Sequence, residues 1–278
     1  MKLRGIRGSR NIEDRRRQSR GGGAKIGGLG VLVILAVGYF AGIDVSGLLQ
    51  GLDAPAQNAP QQVSAEQEKA AQFSAQVLAT TETVWGKEFP AQLGRTYEPP
   101  KMVLFSGQTA SPCGGASGAT GPFYCPADEK AYLHTEFFET LSRSLGAGGD
   151  FAAAYVIAHE VAHHVQQELG ILGEVNKRRQ TASETQANAL TVRLELQADC
   201  LSGVWARNVD GLLEPGDIEE ALNAARKIGD DHLQRRAGRV PQPHTFTHGT
   251  SAQRSRWFAR GYNGGEMRDC DTFSAQKL

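Results

Sequence analysis

Residues 159–163 read His-Glu-Val-Ala-His inside the apolar run F-A-A-A-Y-V-I-A-H-E-V-A-H-H-V. Four positions apart on a helix, His159 and His163 project from one face, so both imidazoles reach a single zinc ion. Glu160 falls on the adjacent flank, where its carboxylate meets a metal-bound water rather than the metal. This is the arrangement that metal-assisted hydrolysis of a peptide bond requires. It demands a helix here and a third ligand delivered from elsewhere in the chain.

The third ligand is expected from a second helix. Ser183 with Gln186 forms a capping box opening a helix that runs to about Asn208. Its stripe Asn188, Val192, Glu195, Asp199, Gly203, Ala206 steps by three or four. After Asn188, the two carboxylates are the only polar members of a small, apolar seam. A buried carboxylate needs a partner, and a metal is one. Glu195 is therefore the expected third ligand to a single catalytic Zn2+. Asp199, four residues on, is placed to accept the second ring N–H of a ligating histidine.

Around this pair, Ser64 with Gln67, Asp217 with Glu220 and Thr250 with Gln253 mark further helix starts. Asp150 is the expected cap of the motif helix, which should run to about Leu169. Lys101–Phe105 and the stretch 123–138, broken by Pro126-Ala-Asp-Glu, read as short strands. Glu174–Gln180 reads as a polar surface connection. The fold class is helix-dominated α+β with a small sheet near its start.

The net charge of zero hides an asymmetry. Residues 1–25 carry a balance of +7, residues 26–43 carry no charge, and the remainder sums to −7. An acidic body argues against nucleic-acid binding. Eighteen uncharged residues, Ile26 to Ile43, extendable to about 48, are within the range for a membrane span. The basic flank then stays in the cytoplasm. The expected layout is a cytoplasmic arm (1–25), a transmembrane anchor (26–48), a linker (49–62) and an extracytoplasmic domain (63–278) at a bacterial cytoplasmic membrane. A cleaved signal peptide is the competing reading, with Ala54-Pro-Ala56 as its weak cleavage site.

Four cysteines include no C-x-x-C pair, so they offer no zinc site. In an oxidising space the natural pairing is Cys113 with Cys125 and Cys200 with Cys270; reduced thiols are the alternative. Among the remaining histidines, His164 points about 100° away from its neighbour and reads as surface or packing. His134 and His232 carry no partner pattern. His244, in a proline-bounded loop, is a reserve ligand.

The stretches H-E-V-A-H-H-V-Q and R-L-E-L-Q-A-D-C-L-S-G-V-W-A resemble the bacterial neutral zinc metallopeptidase family. So do N-I-E-D-R-R, G-P-F-Y-C-P-A-D and H-G-T-S-A-Q-R-S-R-W-F, in order, over nearly the whole length from Asn11. More distantly, the Glu195/Asp199 spacing looks like that of the gluzincin peptidases. In these the glutamate ligates zinc, the aspartate orients a histidine, and a T-H-P motif precedes an arginine. Thr247-His248-Gly249 and Arg254 keep that spacing, with glycine replacing proline. The resemblance implies a zincin-like domain in which Glu160 is the general base, His248 stabilises an oxyanion and Arg254 supports the site. It also implies that Tyr132 or its neighbours lie on an edge strand pairing with an extended peptide. The expected function is a membrane-anchored zinc endopeptidase acting on peptides or unfolded proteins. A zinc-retaining peptide-binding or chaperone-like domain is the alternative.

Overall fold

Three helices begin where a hydroxyl residue precedes glutamine by three. Ser64, Ser183 and Thr250 each accept the backbone N–H of that glutamine, whose side chain accepts the cap's own N–H. These reciprocal bonds open α1 (Ala65–Leu93), α4 (Glu184–Asn208) and α7 (Ser251–Gly264). The computed structural model describes residues 1–17, 62–117, 121–209 and 211–278. The motif helix, α2 (Asp150–Glu168), starts differently. Its N-cap is Gly149 at φ 114°, a left-handed conformation suited to glycine. Glu220 reaches over to accept the Phe151 N–H at 3.0 Å. The expected cap, Asp150, accepts instead from the Met1 amine at 2.9 Å. Glu174–Gln180, expected as a connection, is mostly the helix α3 (Ile171–Arg179), because Leu172 and Val175 share a buried face. α5 (Asp217–Lys227) and α6 (Asp230–Arg236) follow.

The strands are β1 (Ile12–Asp14), β2 (Lys101–Phe105), β3 (Gln108–Ser111), β4 (Gly114–Ser117), β5 (Phe123–Cys125) and β6 (Lys130–His134). Four make one sheet in the order β1-β2-β6-β5. β1 and β6 run parallel to β2, and β5 runs antiparallel to β6. β3 and β4 form a separate hairpin, and Cys113–Cys125 fastens that hairpin to β5. The second expected bridge, Cys200–Cys270, also forms. Tyr132 does not lie on an edge strand. It faces Val103 of β2 on one side and Phe123 of β5 on the other, so β5 is the edge strand on that side of the sheet.

Sixteen residues of α2, from Phe151 to Gln166, are buried, because α1, α4, α5 and the sheet all pack around it. Phe151 stacks on Trp205 of α4 at 5.6 Å between ring centroids. α4 and α7 approach still more closely. A Cβ on Gly203 would run into the Phe258 carbonyl, and one on Gly261 into the Cys200 carbonyl.

The N-terminal residues correct the expected layout. Met1–Arg15 and Ser64–Leu278 form one compact unit. Ile12, Glu13 and Asp14 pair with Met102, Val103 and Leu104. The Met1 amine lies within 3.2 Å of Asp150, Glu214 and Asp217. Charge alone suggested a cytoplasmic arm; in the fold the backbone of Ile12–Asp14 supplies a sheet edge. Strands that pair lie on one side of any membrane. A single span with Met1–Arg15 inside and the domain outside is therefore incompatible with β1. The segment 26–48 and nearly all of the expected linker lie outside the described residues, among which no helix is long and apolar enough to cross a membrane.

Gly261→Ala should lower the unfolding free energy by about 1–3 kcal/mol, since neither helix backbone can withdraw without disturbing a packed core. Urea denaturation of the full chain measures this; an unchanged midpoint would mean the helices separate freely.

Candidate metal centre

α2 and α4 face each other so that their two four-residue steps meet. His159 Nε2 lies 3.1 Å from Glu195 Oε2, and His163 Nε2 lies 3.5 Å from Glu195 Oε1. One ligating atom from each of His159, His163 and Glu195 lies within 4.8 Å of the others. A tetrahedral zinc with ligands at about 2.0–2.1 Å separates them by about 3.3 Å. The donor set, two imidazoles and one carboxylate, is that of a catalytic zinc with one position left for water. The residues therefore fit the metal that the sequence suggested.

Each histidine is held from behind. His159 Nδ1 sits 3.0 Å from Asp199 Oδ1. Asp199 is wholly buried and receives Arg254 through two bonds of 2.9 Å, Nε to Oδ2 and Nη2 to Oδ1. Tyr155, one turn before His159, donates its hydroxyl to Asp199 Oδ1 at 2.5 Å, and burial keeps that phenol protonated. Burial by itself would push the Asp199 carboxyl up, but the Arg254 guanidinium and His159 hold it below the ordinary range. His163 Nδ1 meets Gln166 Oε1 at 2.8 Å. Gln166 is itself fixed by donating to the Leu194 carbonyl and to Gln197 Oε1.

Glu160 opens onto a cleft of about 460 Å³ together with His159, His163, Glu195 and His248. Burial raises its carboxyl above the usual value, against the opposing pull of His159 and His163. That direction suits a group that takes a proton near neutral pH. Glu195 behaves oppositely. Burial pushes it up, yet His163 and the hydrogen bond from His159 bring it well below the usual range. Phe123 and Tyr124 of β5 line one wall, and Leu172 and Leu194 line another.

His248 stands half-exposed at the rim, and Asp230 organises its loop. Asp230 Oδ2 accepts three consecutive backbone N–H groups, from Thr247 (2.8 Å), His248 (2.6 Å) and Gly249 (2.9 Å). Asp230 Oδ1 lies 3.3 Å from His248 Nδ1. Burial would lower the imidazole's pKa, but Asp230 and the Glu195 charge raise it. Gly249, at φ 90°, has Val192 and Leu196 within 3.3 Å of where a Cβ would sit. The glycine in place of the proline of the gluzincin motif thus permits a left-handed turn against α4.

The expected residues His159, Glu160, His163, Glu195, Asp199, Arg254 and His248 are brought together. Tyr155, Gln166 and Asp230 were missed. Gln166 was legible as an i+3 partner of His163 in H-E-V-A-H-H-V-Q; Asp230 was not, since only tertiary packing brings it to His248. His164 corrects the surface expectation and bears out packing. It is 2% exposed, with Nδ1 bonded to the Tyr124 hydroxyl and Nε2 to the Glu98 carbonyl. It pins β5 beside the cleft. His134 accepts the Gly107 N–H. His244 offers its backbone carbonyl to Asn188 and does not line the cleft.

Residues 1–273 match the family model described as "Putative neutral zinc metallopeptidase". The chain is 46% identical over 288 residues to "Uncharacterized protein YpfJ" of Escherichia coli (strain K12), covering 98% of this chain and 99% of that protein. It is 44% identical over 218 residues to "Uncharacterized protein Rv2575" of Mycobacterium tuberculosis (strain ATCC 25618 / H37Rv), covering 73% of this chain and 71% of that protein. No solved structure matches it significantly.

Two outcomes test the centre. Gln166→Ala should weaken zinc binding by about 10–100-fold, as loss of a ligand's supporting hydrogen bond does; competition with a chromophoric chelator reads the affinity. Asp230 is also held below its ordinary value of 3.8, burial being outweighed by His248 and the backbone donors. A depressed folded value stabilises fully above 3.8 and is lost as pH falls through it. The stability gap between wild type and Asp230→Asn should therefore narrow on acidification below about pH 4, which urea midpoints at several pH values record.

Proposed function

The chain belongs to the neutral zinc metallopeptidase family, and from that premise we propose that it is a zinc-dependent endopeptidase cleaving peptides or unfolded proteins. The observation that carries this reading is the convergence of His159, His163 and Glu195 beside Glu160 in one cleft. In this reading those three residues hold one catalytic zinc ion. When bound, the ion supplies Lewis acidity, lowering the pKa of a water to about 7 and polarising the scissile carbonyl.

The chain's own residues do the rest. Glu160, its carboxyl raised by burial, takes the proton of the attacking water and returns it to the departing amine. His248 Nε2 donates to the oxygen that gains charge as the carbonyl becomes tetrahedral. Asp230 keeps that imidazole turned toward the cleft through its contact with Nδ1. Asp199, fixed by Arg254 and Tyr155, holds His159, and Gln166 holds His163. The apolar walls on β5 and α3 exclude water from the reacting bond. A peptide-binding domain that retains zinc without turnover leaves Glu160 without a task, so hydrolysis is the better account.

We place this activity outside the cytoplasm, a setting that two disulfides favour. Met1–Arg15 then shares that side with the catalytic residues.

Glu160→Gln should retain one zinc per chain and lose about 10²–10⁴-fold in turnover of an unfolded protein. His248→Ala should lose about 10²–10³-fold, largely in kcat. A chelator-sensitive cleavage assay with metal analysis decides both. Undiminished cleavage by Glu160→Gln would remove it as the base; no cleavage by zinc-loaded wild type would remove the peptidase reading.

A further inference from the structure

The cleft is lined by three formal charges besides Arg179: Glu160, Glu195 and Arg254. All three have work already. Glu160 and Glu195 stand at the metal centre, and Arg254 is buried with its charge matched by two bonds to Asp199. Arg179 has none. It is exposed at the cleft's α3 end, and it donates to the neutral Asn176 Oδ1 at 3.3 Å. No carboxylate among the described residues lies within ion-pairing distance of it.

Arg179 is nonetheless held in place. α3 is anchored by Leu172 and Val175, which pack with Tyr124 of β5 and Leu194 of α4. Tyr124, Leu172 and Leu194 also line the cleft, so the helix carrying Arg179 shares its footing with the walls beside the zinc ligands. Its last turn reads Lys177-Arg178-Arg179, three cations in succession in a chain whose residues beyond 43 sum to −7. Leu172, Asn176 and Arg179 step by four and three along α3 and all line the cleft, so a peptide lying against Leu172 has Asn176 and Arg179 on the same helix face. A guanidinium there meets a carboxylate with up to two parallel N–H donors.

We propose that Arg179, with Asn176 beside it, is a specificity-determining group that takes a substrate carboxylate at the α3 end of the cleft. This rests on the peptidase reading and adds to it a substrate class: peptides bearing an acidic side chain, or the chain's terminal carboxylate, a few residues from the scissile bond. The bland alternative is a solvated arginine that merely complements the C-terminal end of α3.

Matched quenched peptides separate the two. They differ by Glu against Gln at each of three positions on either side of the cleaved bond, each made with a free and an amidated C-terminus. The zinc-loaded full chain should favour the acidic peptide about tenfold in kcat/KM at one position, mainly through KM. Arg179→Gln should bring that ratio near one, and Arg179→Glu should turn it toward the Gln peptide. A preference that tracks the free C-terminus instead of Glu assigns the carboxylate to the chain end, and its loss in Arg179→Gln equally supports the proposal. A preference that persists in Arg179→Gln, or is absent from the wild type, overturns it. The exposed position makes folding of these variants a minor concern.

Anisotropy of the same peptides on Glu160→Gln, with and without Arg179→Gln, reads recognition independently of turnover. If no peptide is cleaved by wild type but acid-dependent binding is lost with Arg179, recognition stands and the peptidase reading falls. If cleavage occurs without charge preference, the peptidase reading stands and this inference falls.

Discussion

One buried carboxylate ties the fold to the site. Asp199 sits in α4 with no exposure to water, a position that costs several kcal/mol unless its charge is matched and its oxygens are bonded. Arg254 of α7 supplies the charge, and Tyr155 of α2 supplies a further donor. Three helices are thereby fastened at one point. The arginine's anchor on α7 depends on a close approach of that helix to α4, which only Gly203 and Gly261 permit. Packing of two glycines thus sets where a guanidinium stands, and the guanidinium sets where His159 can turn.

Glu195 shows what that balance lacks one turn earlier. Asp199 has an arginine; Glu195 has only two imidazoles, at 3.1 and 3.5 Å. With Glu160 nearby, the metal centre holds two carboxylates and no fixed cation beside them, because Arg254 is already neutralised on Asp199 and Arg179 stands at the α3 end of the cleft. Protonated histidines can offset this charge, which is why His159 is raised to about 10 despite the opposing effect of burial, through Asp199 and Glu195. A divalent cation offsets it without protonating its own ligands. The arrangement therefore favours metal over protons as pH rises, in keeping with a family of zinc peptidases.

Much of this was legible because it is periodic or local. The four-residue steps His159/His163 and Glu195/Asp199 announce helix faces, and the Ser/Thr-x-x-Gln boxes announce helix starts. What stayed hidden depends on contacts between distant segments. Asp230 reaches His248 across a loop, and its three backbone acceptor bonds have no signature in spacing. Asp150 looked like a cap, yet Gly149 and Glu220 perform that task. Lys130–His134 carries the pattern of a strand, but pattern alone does not say whether a strand is central or at the edge; pairing with both β2 and β5 makes it central.

The N-terminal segment shows the same lesson acting on topology. Nine basic residues before an apolar stretch read as an orienting signal when counted. The contacts of Arg15, one of the nine, tell a different story. Arg15 bonds Glu13 and the Ala110 carbonyl and lies 5.7 Å from the Tyr132 ring centroid, while Lys130 reaches Glu13 at 2.7 Å. Tyr132 in turn stacks on Phe123, which lines the cleft. Charges spent in this way hold β1 against the sheet that supports the catalytic wall. An arm so used cannot stand across a bilayer from the domain it completes. The strand pairing, being a contact between named residues, therefore outweighs the charge count as evidence of sidedness.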